Sequence, residues 1–131
     1  MKVLVCTDGS ALSDRAIEAA ISISQQLNAE LIGMTAVQGS EPEDGLVGET
    51  NEVQERLGKL YEVARKAGLA CQVKAYHGEA PWKCITQMAA EENVDYVVMA
   101  SRGLGSLESL LIGSETQKTL AQIDRPVLVV R

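Results

Sequence analysis

The sequence predicts an α/β protein: a single doubly wound domain whose five-stranded parallel sheet, in the order 3-2-1-4-5, carries helices on both faces. Two observations point there. Short runs rich in β-branched residues alternate with longer stretches of helical period, the pattern of successive β-α units. Several of those runs are continuously apolar, as strands covered on both faces must be. A chain of 131 residues with 46% hydrophobic content has room for one core of ordinary size and not for two.

The strands read as Lys2 to Thr7, Glu30 to Val37, Ala70 to Tyr76, Asp95 to Ala100 and Pro126 to Val130. After the first, Ala16, Ala20, Ile23 and Leu27 recur at i, i+4, i+7 and i+11, and Val53, Leu57, Leu60 and Ala64 repeat that spacing after the second. Each set makes an apolar stripe that should face the sheet. The third helix is expected to begin near Glu79-Ala80-Pro81, because proline suits a first helical turn, and to turn Ile85, Met88 and Ala89 inward. Ser114-Glu115-Thr116-Gln117 matches the S-x-x-Q capping box and announces a fourth helix running through Leu120 to Ile123. Two segments break the alternation. Gln38 to Glu49, with Glu41, Glu43 and Asp44, reads as a solvated acidic loop, with the covering of a site as the alternative. Ser101 to Ile112 is longer than a simple connection needs and carries Leu107, Leu110, Leu111 and Ile112.

Composition excludes several functions. With 18 acidic against 12 basic residues and a formal charge of -6, the chain lacks the clustered cations that wrapping nucleic acid or docking on an anionic membrane requires. Cys6, Cys71 and Cys84 are an odd number without C-x-x-C spacing, which favours reduced, mostly buried thiols over a disulfide framework or a zinc site. The apolar run from Met1 meets Asp8 too early for a signal peptide, and no run is long enough to span a bilayer. A cytoplasmic location is the expectation.

In open parallel sheets ligands sit beyond the carboxyl ends of the strands, where the strand order reverses. The loops after the first and fourth strands therefore carry the chemistry. Thr7-Asp8-Gly9-Ser10 brings a carboxylate to that crevice and a helix cap in Ser10. Asp8 either stabilises the turn or holds a ribose hydroxyl or base amine. Gly103 and Gly105 let main chain approach a ligand closely, and Gly113-Ser114 opens a helix whose N–H groups can receive phosphate oxygens. No Walker motif is present, and Gly103-Leu104-Gly105 is half a dinucleotide fingerprint, with Glu108 where the third glycine would stand. His77, the single histidine, has no triad around it and reads as a loop residue. Trp82 reads as helix packing. The absence of Phe and of a hydroxyl-rich phosphate loop argues against FMN.

Both ends of the chain resemble one family. Val3-Leu4-Val5-Cys6-Thr7-Asp8-Gly9-Ser10 is similar to the first strand and turn of universal stress proteins. The stretch from Asp95 through Gly103 and Ile112-Gly113-Ser114 to Val130 is similar to their C-terminal signature. In ATP-binding members that signature is G-x2-G-x9-G-[ST]. Gly103 and Gly113-Ser114 match it with nine residues between, and Ala100 replaces its first glycine. The resemblance implies an adenine nucleotide: ATP first, AMP or ADP otherwise, with Mg2+ as an optional companion. It places Thr7 and Asp8 near the adenosine, the main chain of Val37 at the adenine, and Gly103, Gly113, Ser114 and Thr116 around the phosphates, with Arg102 adding charge. Ala100 and Glu115 are departures within that site, since Ala100 adds a methyl group and the Glu115 carboxylate competes with phosphate for the same helix dipole. The resemblance also implies homodimerisation through the last strand, which the predicted order leaves at a sheet edge. A role in stress response or signalling follows, with no catalytic residue assigned and any hydrolysis slow, because no general base stands out. The rivals are an interaction protein that keeps the fold without the nucleotide, which Ala100 and Glu115 favour, and an ATPase or phosphotransferase.

Overall fold

A computed structural model describes residues 1–103 and 111–131. Leu104, Gly105, Ser106, Leu107, Glu108 and Leu110, singled out in the sequence, lie outside the described residues. The elements run β1 (Lys2–Cys6), α1 (Ala11–Leu27), β2 (Glu30–Gln38), α2 (Asn51–Lys66), β3 (Cys71–Gly78), α3 (Pro81–Glu91), β4 (Tyr96–Ala100), α4 (Ser114–Gln122) and β5 (Val127–Val130). The five strands form one parallel sheet in the order β3-β2-β1-β4-β5, as the sequence predicts.

β1 shows why its run is continuously apolar. Val3 and Val5 face one layer with Ala16, Ala20 and Leu60, while Leu4 faces the other with Ile85 and Met88. All three β1 residues are fully buried. The predicted stripe of α2 is the buried one, Val53, Leu57, Leu60 and Ala64. Thr50 caps that helix, its hydroxyl accepting the Val53 N–H at 3.3 Å. In α1 the buried face is Ser13, Ala16, Ile17, Ala20, Ile21 and Ser24, rotated from the predicted stripe. Ile23 is half-buried, and Leu27, the last residue of the helix, is exposed.

The acidic loop is mostly exposed, as expected, but its last residue is not. Glu49 is buried against His77, with carboxylate and imidazole Nε2 2.7 Å apart. The two groups are in close contact without an aligned hydrogen bond, since Nε2 finds no properly directed acceptor among the described residues. This corrects the reading of His77 as a loop residue: it lies within β3, paired in register with Val37, and fastens the loop to the sheet.

Gly33 in β2 permits the packing of α2. A Cβ there would stand 2.5 Å from Leu60 Cδ2, well inside van der Waals contact, and Leu60 is fully buried. Gly33→Ala is expected to cost about 1–3 kcal/mol of stability by overpacking, read as a lower denaturation midpoint. In Gly33→Ala/Leu60→Ala the combined loss should fall short of the sum of the single losses, because the second change removes the clash. Strict additivity would place the strain elsewhere.

Candidate functional site

The chain leaves β1 for α1 on one face of the sheet and leaves β4 toward α4 on the other, so the two adjacent strand ends part. A cleft of about 130 Å³ opens between them. Of the residues predicted at the site, Thr7, Asp8, Ala100, Arg102, Gly103, Glu115 and Thr116 line it. Val37, Gly113 and Ser114 do not line it. The apolar wall of Cys6, Ala36, Pro81, Ile85 and Met99 is not part of the site the sequence predicts, although Cys6, Pro81 and Ile85 are read there as a buried thiol, a helix start and an inward-facing residue.

Thr7 is the fixed point of the first loop. Its N–H donates to Met34 O at 2.9 Å, its carbonyl accepts Thr35 Oγ1 at 2.7 Å, and its hydroxyl shares a 3.0 Å hydrogen bond with Ser13. Gly9 then turns the chain with φ 85°, a left-handed conformation that glycine adopts without strain. Asp8 Oδ1 accepts the Ser10 N–H at 2.9 Å, and Ser10 caps α1 by accepting the Ser13 N–H at 3.2 Å. The turn-stabilising role of Asp8 is therefore real, and the same carboxylate reaches the cleft. A Cβ on Gly103 would stand 2.1 Å from its Oδ2. Gly103 is glycine for that close approach.

Strand parity decides which main chain faces the crevice. Met34 O accepts from Thr7 and Gly39 N–H donates to Gly78 O, so even-numbered residues of β2 turn their polar groups toward β1 and odd-numbered ones toward β3. β2 runs to Gln38 beside β3 but pairs with β1 only to Met34. Past the end of β1 it is the main chain of Ala36 that faces the crevice. That of Val37 is turned to β3, one residue out of phase with the predicted role.

The predicted capping box does not form. Gly113 is the N-cap of α4, no side chain among the described residues caps the helix, and Ser114 is its first residue and exposed. The Gly113 N–H donates to Ser101 O at 2.7 Å, while Thr116 Oγ1 donates to Ala100 O at 3.0 Å. These two bonds fix the helix start one residue earlier than a serine cap would. Gln117 donates its side-chain amide to Ile112 O at 2.9 Å instead of completing a box. α4 thus brings a first turn without a side-chain cap to the site, which suits an anion.

Glu115 turns toward the neighbouring helix. Its Oε2 accepts the Trp82 N–H at 3.1 Å, in the first turn of α3, where the N-cap residue Ala80 offers no side-chain acceptor. A carboxylate on such an N–H contributes about 1 kcal/mol to the helix it caps.

Burial pushes the Cys6 thiol from 9.0 up to about 12, with the neighbouring Cys84 adding to the shift. Burial also raises Cys84, opposed by its main-chain hydrogen bond and assisted by the Glu115 charge. The cleft wall is therefore thiol rather than thiolate, and chemically quiet.

The chain matches the profile of the universal stress protein family over residues 1–131. It is 31% identical to a universal stress protein of Methanocaldococcus jannaschii, covering 99% of this chain and 81% of that relative. It is also 31% identical to universal stress protein YxiE of Bacillus subtilis, covering 99% and 98%. Its fold superposes with a TM-score of 0.79 on a universal stress protein solved in complex with cAMP, at 27% identity and covering 100% and 97% of the two chains.

Iodoacetamide at about pH 8 should leave Cys6 and Cys84 unmodified in the native protein and alkylate them on unfolding. The sign of the pH dependence follows from the raised Cys6 value: its contribution to stability is complete below pH 9.0 and is lost as pH climbs toward about 12. Fast native-state alkylation of Cys6 would show that the wall opens.

Proposed function

We propose that this chain, which belongs to the universal stress protein family, binds an adenosine phosphate in the cleft between the ends of β1 and β4. The observation that carries this reading is the convergence of Asp8, the Ala36 main chain and the first turn of α4 on one opening. Each suits a part of the ligand. A carboxylate holds ribose hydroxyls, main-chain polar groups meet the edge of the base, and a helix start without a side-chain cap receives phosphate. The related structure holding cAMP supports the same class. ATP, ADP and AMP belong to it, and Mg2+ would accompany the forms with more phosphate. The role is in stress response or signalling in the cytoplasm rather than in rapid catalysis.

Native mass spectrometry and calorimetry with ATP, AMP and cAMP test the reading. Asp8→Ala should weaken all of them. Gly103→Ala, which drives a methyl group into Asp8 Oδ2, should weaken them about tenfold, equal to about 1.4 kcal/mol. Absence of heat and of any thermal shift with all three ligands would favour an interaction protein of the same fold.

The same reading includes a homodimer through β5. Ser101 N–H donates to Val130 O and Val97 N–H to Pro126 O, so by strand parity the main chain of Val127 and Val129 faces outward at the sheet edge. Beside this edge Leu27, Tyr96 and Leu128 are 42%, 37% and 42% exposed around a shallow groove. Sedimentation at micromolar concentration should give a dimer, and Leu128→Lys should shift it toward monomer. A native monomer under those conditions would remove this assembly.

A further inference from the structure

A charge stands inside the phosphate end of the cleft, and the fold keeps it there. Among the described residues Glu115 lines the opening together with Arg102 and Asp8, two carboxylates to one guanidinium. Its Oε2 is held by the Trp82 N–H. No Lys or Arg forms an ion pair with Glu115 among the described residues. The carboxylate cannot withdraw from an incoming phosphate without taking the cap from α3, whose own N-cap residue has none to offer. Phosphate arriving at the start of α4 therefore meets a helix dipole already answered by a resident anion.

Repulsion from a fixed charge grows with the charge of the ligand. A cyclic phosphodiester carries one negative charge, a phosphate monoester about 1.5 to 2 near neutral pH, and a triphosphate more. On the reading that this cleft takes adenosine phosphates, we propose that Glu115 is its specificity-determining residue, selecting nucleotides of low phosphate charge: cAMP ahead of AMP, and both ahead of ATP. Arg102, the cation that lines the cleft among the described residues, offsets part of that repulsion. Mg2+ would narrow the difference by neutralising the outer phosphates, and salt by screening.

Calorimetric titration of cAMP, AMP and ATP into wild type, Glu115→Gln and Glu115→Ala, in EDTA at low salt, tests this. Gln keeps an oxygen that accepts the Trp82 N–H but loses the charge that favours the helix starts, so the emission of Trp82, the one tryptophan, should match wild type and thermal stability should fall only slightly. Ala loses the cap as well as the charge and should melt lower while showing the same change in ligand preference. In Glu115→Gln, ATP should bind about fivefold more tightly and AMP about twofold, with cAMP nearly unchanged, a shift of about 1 kcal/mol at most. An equal effect on all three ligands, or none, would overturn the selector while nucleotide binding stood. So would wild type preferring ATP to cAMP without Mg2+. If neither wild type nor the variants bind any of the three, the nucleotide reading itself falls and the selector with it.

Discussion

The site depends on where β1 stops. β2 and β3 stay paired to Gln38 and Gly78, whereas β1 pairs with β2 only to Cys6 and Met34. Thr7 ends the strand by satisfying its main chain and hydroxyl within the neighbouring structure. Those bonds matter because Thr7 is buried, and a buried polar group left unpaired costs about 1–3 kcal/mol. With Thr7 fixed, Asp8 is carried to the crevice, Gly9 turns the chain, and Ser10 starts α1. The overhang of β2 beyond this point exposes the Ala36 main chain. One strand end thus sets a carboxylate, a helix start and a stretch of unpaired strand edge in a single geometry.

The opposite wall is built by a different economy of hydrogen bonds. β4 ends at Ala100, and its last carbonyl is taken by the Thr116 hydroxyl from the following helix. Thr119 Oγ1 donates to Glu115 O in the same helix. The buried face of α4 is consequently threonine rather than aliphatic, and the helix is held to the sheet end by directed bonds as well as by packing. Directed bonds fix orientation more narrowly than apolar contact does. That is useful for a helix whose first turn faces a ligand.

Glu115 lies between two helix starts and gives one of them, that of α3, a side-chain partner. It sits in the first turn of α4 and serves the first turn of α3. One residue therefore links the conformation of α3, the dipole of α4 and the net charge of the cleft. A single fold can change its preferred ligand by changing one charge at such a junction, without altering sheet order or core.

Much of this protein was legible in its residues alone. The apolar runs of β1 and β4 and the stripe of α2 fixed element type, because burial on both faces of a sheet and on one face of a helix leaves distinct periods. The strand order is the expected one, and Asp8 and Gly103 line the crevice beside the ends of β1 and β4. What the sequence left open were matters of phase and of contact between distant segments. Ser114 and Gln117 have the spacing of a capping box, but Gly113 and Thr116 are tied to the end of β4 and start the helix without it. Val37 and Ala36 are equally apolar, and only the pairing of β2 with both neighbours decides which turns its main chain to the crevice. His77 has no local partner, and Glu49 reaches it only once the acidic loop folds back on the sheet. Local pattern determines which element a residue joins, whereas the partner of a cap, a carboxylate or a strand edge lies far along the chain and is chosen by the packing that brings the two together.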